Sequence, residues 1–130
     1  MMLHESLPIN PPRPLTPEEE GILNRLLSVE FQGQEELLRQ AQSVRVSEEC
    51  KDCRSITTIV DNLPGNAATV KRRIPIEAEA VDVDGAKIHI LLHVVYGYID
   101  EIEIYREDLQ SVKEIPKPNS LELINLDNDL

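Results

Sequence analysis

Aromatic residues are almost absent from this chain of 130 residues, which has no tryptophan, one phenylalanine and three tyrosines. A surface that binds single-stranded nucleic acid needs exposed rings along a basic groove, so nucleic-acid binding is not favoured. Cations are also scarce: 13 Lys and Arg stand against 24 Asp and Glu, which gives a net charge of −11. This charge disfavours phosphate backbones and anionic membranes and favours a basic protein partner.

The chain also lacks the patterns of a phosphate-binding loop, a secretion signal and a membrane span. Its five glycines form no phosphate loop. An acid, a histidine and several prolines occupy the first residues, where a signal would need an apolar stretch. No apolar run reaches the roughly 18 residues of a membrane span, and two cysteines do not make a disulfide framework. We therefore expect a cytoplasmic protein, and no cofactor is indicated.

Apolar residues make up 41% of the chain, which is enough for one folded domain. We expect an extended proline-rich arm over residues 1–14, a single α+β domain over 15–126 and a tail over 127–130. The prolines at positions 8, 11, 12 and 14 should block helices and strand ladders alike in the arm.

The segment LTPEEEGILNRLLSVEF predicts a first helix. Thr16 suits the N-cap, Pro17 the first helical position and Glu19 the N3 position of a capping box. A second short helix is expected over about 34–42. Because the connection between them is brief, the two helices should form an antiparallel pair.

Three segments with alternating apolar and polar residues between 74 and 106 predict antiparallel strands. Matching their apolar faces places Ala80 opposite Ile90, through a three-residue or bulged loop near Asp84 and Gly85. Shorter strands are expected over 44–46 and 55–60, with a polar loop over 47–54. Residues 119–130 could form an edge strand or a tail.

Together these patterns predict an α+β fold in which an N-terminal helical pair packs on one face of a four- to five-stranded antiparallel sheet. With so few aromatic residues, the core must be aliphatic. The residues expected in it are Leu23, Leu26, Leu27, Leu37, Leu38, Ile76, Ile90, Leu92, Ile102 and Ile104.

The second face of this sheet carries the clustered ionisable residues of the chain. The expected register places Glu77, His93 and Glu101 across from one another, with Glu79 and Glu103 on the same face. Such carboxylates can pair with Lys or Arg of a partner, and His93 would make that contact sensitive to pH. A solvated face that only maintains solubility is one alternative, and an enzyme that works through His93 and Glu101 is another.

The motif Cys50-Lys-Asp-Cys53 is a second candidate site. A single CxxC motif can be half of a zinc site, a redox pair, or two loop cysteines that are free or disulfide-bonded. A redox motif is expected at the start of a helix, whereas this one precedes a strand. Because His89 and His93 would be about 13 Å apart along a strand, they cannot share one ion. No metal site is therefore assigned, and Cys50 and Cys53 are only weak metal candidates.

Three segments resemble a family of small uncharacterised bacterial proteins: LTPEEEGILNRLLSVEFQGQEELLRQAQSVRV, the CxxC motif before SITTIV, and GYIDEIEIYRED. In that family a helical opening precedes a Cys-containing turn, and a late strand closes the sheet. The resemblance covers most of residues 14–118 and implies no established activity or catalytic residue. Small acidic α+β proteins of this size also resemble the immunity proteins that bacteria pair with secreted toxins.

The sequence therefore predicts a non-enzymatic acidic binding protein, most concretely an immunity protein that neutralises a basic bacterial toxin. Its contact residues would be Glu77, Glu79, His93, Glu101 and Glu103. One alternative is a small zinc- or thiol-dependent protein that uses the CxxC motif. Another is a homo-oligomeric domain, for example a homodimer formed through the arm or the last strand.

Overall fold

The structure, a computed structural model, describes residues 5–61 and 65–125. The tail predicted at 127–130 lies outside these residues. The described elements, in chain order, are β1 (Ser6–Pro14), α1 (Pro17–Leu26), α2 (Gln34–Gln40), β2 (Arg45–Cys50), β3 (Ile56–Ile59), β4 (Ile76–Val81), β5 (Lys87–Val95), β6 (Tyr98–Arg106), a 3₁₀ turn (Pro118–Ser120) and β7 (Glu122–Asn125).

The seven strands of the described residues form one antiparallel sheet in the order β1-β2-β3-β6-β5-β4-β7. The predicted four- to five-stranded sheet with an N-terminal helical pair is therefore wrong. The described part of the chain is mostly sheet, and the two α-helices in it contain only 10 and 7 residues. The sheet is wider than predicted because segments near the two chain ends add β1 and β7 at its edges.

Strand β1 shows why the prolines misled the prediction. Four of its nine residues are proline, yet it pairs with β2 in an antiparallel register that shifts between Pro8 and Arg13. Proline removes a hydrogen-bond donor, but an edge strand has a neighbour on one side only and tolerates the loss. The same prolines make this edge a poor template for another strand.

Strand β2 occupies half of the predicted polar loop over 47–54, because it continues to Cys50. It lies between β1 and β3 and pairs with both. This pairing on two sides outweighs the polar sequence RVSEEC, since strand propensity depends strongly on context.

The predicted capping box of α1 is confirmed. Glu19 N–H donates to Thr16 Oγ1 at 3.2 Å, and Thr16 N–H donates to Glu19 Oε1 at 2.9 Å. The Glu19 carboxylate also accepts a hydrogen bond from Arg13 Nη1 at 2.9 Å. The start of α1 is therefore tied to strand β1.

The aliphatic core combines buried residues of both helices with the inner face of the sheet. Nine of the ten predicted core residues are buried, but Leu38 is 40% exposed. Leu37 and Leu38 are about 100° apart around α2. In a helix of two turns only one of them can face the sheet, and that residue is Leu37. Neither helix in the described part of the chain has the length and apolarity needed to cross a bilayer.

The β4–β5 register differs from the prediction by two residues, because Ala80 pairs with Ile88 and not with Ile90. The loop does have three residues, 83–85, but it lies one position earlier than the predicted register requires. A two-residue shift leaves every side chain on its own face and changes only its cross-strand partner.

Gln40 holds the long connection between β3 and β4 where it passes the β5–β6 turn. Its side chain is completely buried. The amide nitrogen donates to the carbonyls of Asn66 (2.6 Å) and Gly97 (2.8 Å), and the amide oxygen accepts from Ile99 N–H (2.9 Å). One side chain thus joins α2, the crossover connection and β6.

A buried ionic network lies at the other end of β6. The guanidinium of Arg106 is 3% exposed and donates to the carboxylates of Asp82, Asp84 and Asp108 over 2.7–3.1 Å. It thereby connects the β4–β5 loop to the chain that follows β6. Nothing in the hydrophobic pattern predicted this network.

Candidate functional site

The ionisable candidates lie on the sheet face opposite the core, which we call the outer face. It is formed by residues of β4, β5 and β6 that alternate with the buried aliphatic residues. All of its members are partly exposed. The outer face consists of Glu77, Glu79, His89, Leu91, His93, Glu101, Glu103 and Tyr105.

His93 is held between Arg73 and Glu103. Arg73 Nε donates to His93 Nδ1 at 3.1 Å, and His93 Nε2 lies 2.8 Å from Glu103 Oε1. Because Nδ1 accepts a hydrogen bond, the ring proton belongs on Nε2, which donates to Glu103. Glu101 is directly opposite His93, as expected, but Glu77 is opposite Leu91. The predicted row of Glu77, His93 and Glu101 is therefore wrong for Glu77.

His89 belongs to a second group on the same face. It lies opposite Glu79 in the β4–β5 ladder, its Nε2 is 3.2 Å from Glu107 Oε1, and its ring stacks on Tyr105 with 5.0 Å between centroids. Lys87 Nζ approaches Glu79 Oε1 at 3.7 Å. His89 and His93 thus contact different carboxylates.

Two carboxylates of the outer face are left available. Within the described residues, Glu77 and Glu101 accept no hydrogen bond and form no ion pair. They lie on β4 and β6, on either side of strand β5. A Lys or Arg of a partner can therefore pair with either one without first displacing a residue of this chain.

Burial raises the pKa of Glu101 above its ordinary value of 4.5. The charge of His93 opposes this effect, Glu103 and Asp100 reinforce it, and Arg73 opposes it again. Because the raised pKa means that the fold disfavours the charged form, ionised Glu101 lowers stability at neutral pH.

We expect Glu101→Gln to raise the free energy of unfolding at pH 7 by about 0.5 kcal/mol, a small effect because solvent screens a half-exposed charge. The gain should vanish below the ordinary glutamate pKa of 4.5, where both states hold the proton. Urea unfolding at several pH values measures it. Glu103→Gln is the control: it removes the charge that strengthens the hydrogen bond from His93 and should give no gain. A loss of stability in Glu101→Gln at pH 7 would disprove this account of its charge.

The CxxC motif forms a separate feature at the β2–β3 turn. Cys50 and Cys53 are joined in a disulfide, and both are buried. No group of three or more His, Cys, Asp or Glu side chains in the described part of the chain is arranged to hold a metal ion. The cysteine pair is thus a disulfide site in this structure.

Sequence reasoning missed the partners that come from outside the three strands. Arg73 lies in the basic cluster 71–73, 20 positions before His93, and Glu107 follows the end of β6. The basic cluster can be recognised in the sequence, but the alternation of apolar and polar residues does not indicate that it lies beside His93. The connection from β3 to β4 brings it there, because Val94 N–H donates to the Arg73 carbonyl at 2.8 Å.

The fold and this face define an acidic antiparallel-sheet protein with carboxylates and histidines on its open side. The chain belongs to the family described as "Domain of unknown function (DUF6984)", which matches residues 12–116. This range covers both helices and β2 to β6, and it leaves out β7 and most of β1. No curated protein and no solved structure matches the chain.

Proposed function

We propose that this protein is a non-enzymatic binding protein whose outer face binds a cationic protein. The observation that carries the proposal is the pair Glu77 and Glu101, which have no hydrogen bond or ion pair with any described residue, beside the internally paired Glu79 and Glu103. Four carboxylates on three adjacent strands form one negative surface. Such a surface speeds encounter with a positive partner and rejects like-charged ones.

The most concrete form of the proposal is an immunity protein that acts in a bacterial cytoplasm against a basic toxin. A nuclease toxin fits best, because its active site must be basic to hold phosphates. The chain's net charge of −11 and its length of 130 residues support this form. The carboxylates would occupy the toxin site in place of the phosphates.

Neutralising the outer face tests the binding surface. Wild-type chain and an outer-face variant are each immobilised, and the proteins that they retain from an extract of the source cell are compared. The outer-face variant carries Glu77→Gln, Glu79→Gln, Glu101→Gln and Glu103→Gln. The matched control changes four helix acids, Glu18→Gln, Glu20→Gln, Glu35→Gln and Glu36→Gln. Both variants change the net charge by the same amount. Mass spectrometry quantifies each retained protein at low and high salt.

We expect wild type and the helix control to retain a basic protein at low salt, and the outer-face variant to retain it at least about tenfold less. The double change Glu77→Gln and Glu101→Gln should produce most of this loss. Equal retention by all three chains would remove the outer face as the binding surface. Inhibition of the retained protein's activity by the wild-type chain supports the immunity role, and retention without inhibition argues against it.

His93 links this surface to pH in the proposal. Protonating its ring places a hydrogen on Nδ1, which can then no longer accept from Arg73. The face also gains a positive charge between Glu101 and Glu103. Protonation of His93 should therefore weaken the retention of a cationic partner. His93→Gln should make retention less sensitive to acidification than it is in wild type, and an equal loss in both chains would exclude this role of His93.

A further inference from the structure

The cysteine pair lies apart from the outer face, at the tip of the β2–β3 hairpin. Cys50 and Cys53 are bonded at a sequence separation of 3, and Cys50 N–H donates to the Ser55 carbonyl at 2.9 Å. We propose that this pair is a redox site that exchanges its disulfide with dithiols, with Cys50 as the sulfur that forms the mixed disulfide. The proposal goes beyond the binding function above and does not depend on it.

A role as a structural crosslink explains this disulfide poorly. A crosslink stabilises a fold by removing chain entropy from the unfolded state, and the effect grows with the length of the closed loop. Here the separation is only 3 residues. The chain also buries an aliphatic core that extends over both helices and the sheet, and a domain of this size does not need a covalent staple.

Access distinguishes the two sulfurs. Cys50 lines a cleft of about 360 Å³, which is also lined by Lys51 and Arg54. Cys53 does not line this cleft and is 1% exposed, against 6% for Cys50. Arg13 is a third cation in the cleft, so that its cations equal its three glutamates in number. A thiolate on Cys50 would therefore lie beside equal numbers of positive and negative side chains, although the net charge of the chain is −11.

A backbone donor prepares Cys50 to carry negative charge. Cys53 N–H donates to Cys50 Sγ at 3.2 Å. In the reduced pair the same N–H would stabilise a thiolate on Cys50, and the thiolate is the form that reacts in exchange. Cys50 therefore combines access with a donor for its charge.

The exchange is balanced in two steps. A thiolate of the dithiol attacks Cys50 Sγ, the bond between Cys50 and Cys53 breaks, and Cys53 leaves as a thiolate that takes up a proton. The second thiol of the dithiol then loses its proton and attacks the first dithiol sulfur, which is bonded to Cys50 in the mixed disulfide. This attack releases the Cys50 thiolate. The protein pair gains two electrons, and the dithiol becomes a disulfide.

Reduction of the disulfide would affect residues beyond the β2–β3 hairpin, because the turn has a strained backbone and is hydrogen-bonded to the segment after β6. Arg54 has φ 72°, a conformation that residues other than glycine and asparagine rarely adopt. Val112 N–H donates to the Asp52 carbonyl at 3.1 Å. Opening the disulfide lets the turn relax, which weakens this hydrogen bond and loosens the segment after β6.

Single-cysteine variants of the full chain test the assignment of Cys50. Cys53→Ser and Cys50→Ser are each mixed with oxidised glutathione, and mass spectrometry follows the glutathione adduct. We expect Cys53→Ser, which retains Cys50, to react at least about tenfold faster in the folded chain. In denaturant the two rates should become equal, which assigns the difference to the fold. Circular dichroism verifies that both variants are folded.

A second pair of variants tests the cleft. Lys51→Gln with Arg54→Gln, added to Cys53→Ser, should slow adduct formation several-fold. The control, Lys71→Gln with Arg72→Gln added to Cys53→Ser, changes the net charge by the same amount at positions away from the cleft. It should leave the rate of adduct formation unchanged. With the wild-type chain, dithiothreitol should open the disulfide reversibly while the chain stays folded, and it should speed hydrogen exchange at the Val112 amide.

Three results would overturn the proposal. The first is equal adduct rates for the two single-cysteine variants in the folded state. The second is a disulfide that dithiothreitol opens only when the chain unfolds. The third is a purified wild-type chain whose two thiols cannot be oxidised to a disulfide.

Discussion

Replacing Asp82 by asparagine is expected to lower the free energy of unfolding by about 3 kcal/mol. The Asp82 side chain is fully enclosed and accepts four hydrogen bonds. They come from the backbone N–H groups of Val83 (2.8 Å), Lys113 (2.7 Å) and Glu114 (3.1 Å) and from Arg106 Nη1 (3.1 Å). All four groups are donors, so an amide nitrogen in place of one oxygen would face a donor.

Urea unfolding at pH 7 measures this loss. Asp108→Asn is the matched control: Asp108 also binds Arg106, but its side chain is 42% exposed and water can replace it, so the loss should be much smaller. Equal losses in the two variants would show that the enclosure of Asp82 is not what makes it important.

The same network predicts how stability falls in acid. Burial alone would raise the pKa of Asp82, but the hydrogen bonds from Lys113, Val83, Arg106 and Glu114 together lower it below 3.8. A lowered folded-state pKa contributes stability that is fully present above the unfolded pKa and is lost as pH falls through the folded value. The difference between wild type and Asp82→Asn should therefore shrink below about pH 3.8.

Replacing Gln40 by leucine is expected to cost about 3 kcal/mol as well. Leucine is close to glutamine in size, so the change leaves little cavity. It does leave the N–H of Ile99 and the carbonyl of Asn66 without their hydrogen bonds. The Gly97 carbonyl loses less, because it also accepts from Ala68 N–H at 2.8 Å.

Gln42→Leu serves as the control for this change, because Gln42 is exposed and should tolerate leucine within about 0.5 kcal/mol. Hydrogen exchange adds a local measurement: the Ile99 amide should lose protection in Gln40→Leu beyond the global decrease. If Gln40→Leu is as stable as wild type, the side chain does not hold the crossover connection as described.

The central strands could be predicted from the sequence, because each buries one face and exposes the other. Alternation marked β4, β5 and β6 and assigned their residues to the correct faces. It could not fix the β4–β5 register, since a shift of two residues satisfies the same pattern. The structure decides the register by closing the turn with Asp82 N–H bonded to the Ala86 carbonyl at 2.8 Å.

The outer strands could not be predicted in the same way. The four prolines of β1 are unfavourable in any strand with two neighbours and are tolerated only at an edge. Whether a segment lies at an edge is a property of the whole sheet and is not visible in the segment. The exposed residue Leu38 shows the same limit for α2, because helical spacing alone allowed both Leu37 and Leu38 to face inward.

The outer-face residues could be grouped from the sequence, whereas their contacts could not. A period of two residues places Glu77, Glu79, His93, Glu101 and Glu103 on one face in either register. Which carboxylate reaches His93 depends on side-chain geometry, and the structure selects the diagonal Glu103 over the directly opposite Glu101.

The most direct test of the central claim is carboxyl footprinting of the chain alone and in complex with the basic protein it retains. Carbodiimide-driven labelling of each glutamate is quantified by mass spectrometry in both states. If the outer face is the binding surface, labelling falls at Glu77, Glu79, Glu101 and Glu103 and stays unchanged at the helix acids Glu18, Glu20, Glu35 and Glu36. If labelling instead falls at the helix acids and stays unchanged at the outer-face glutamates, the outer face is not the binding surface.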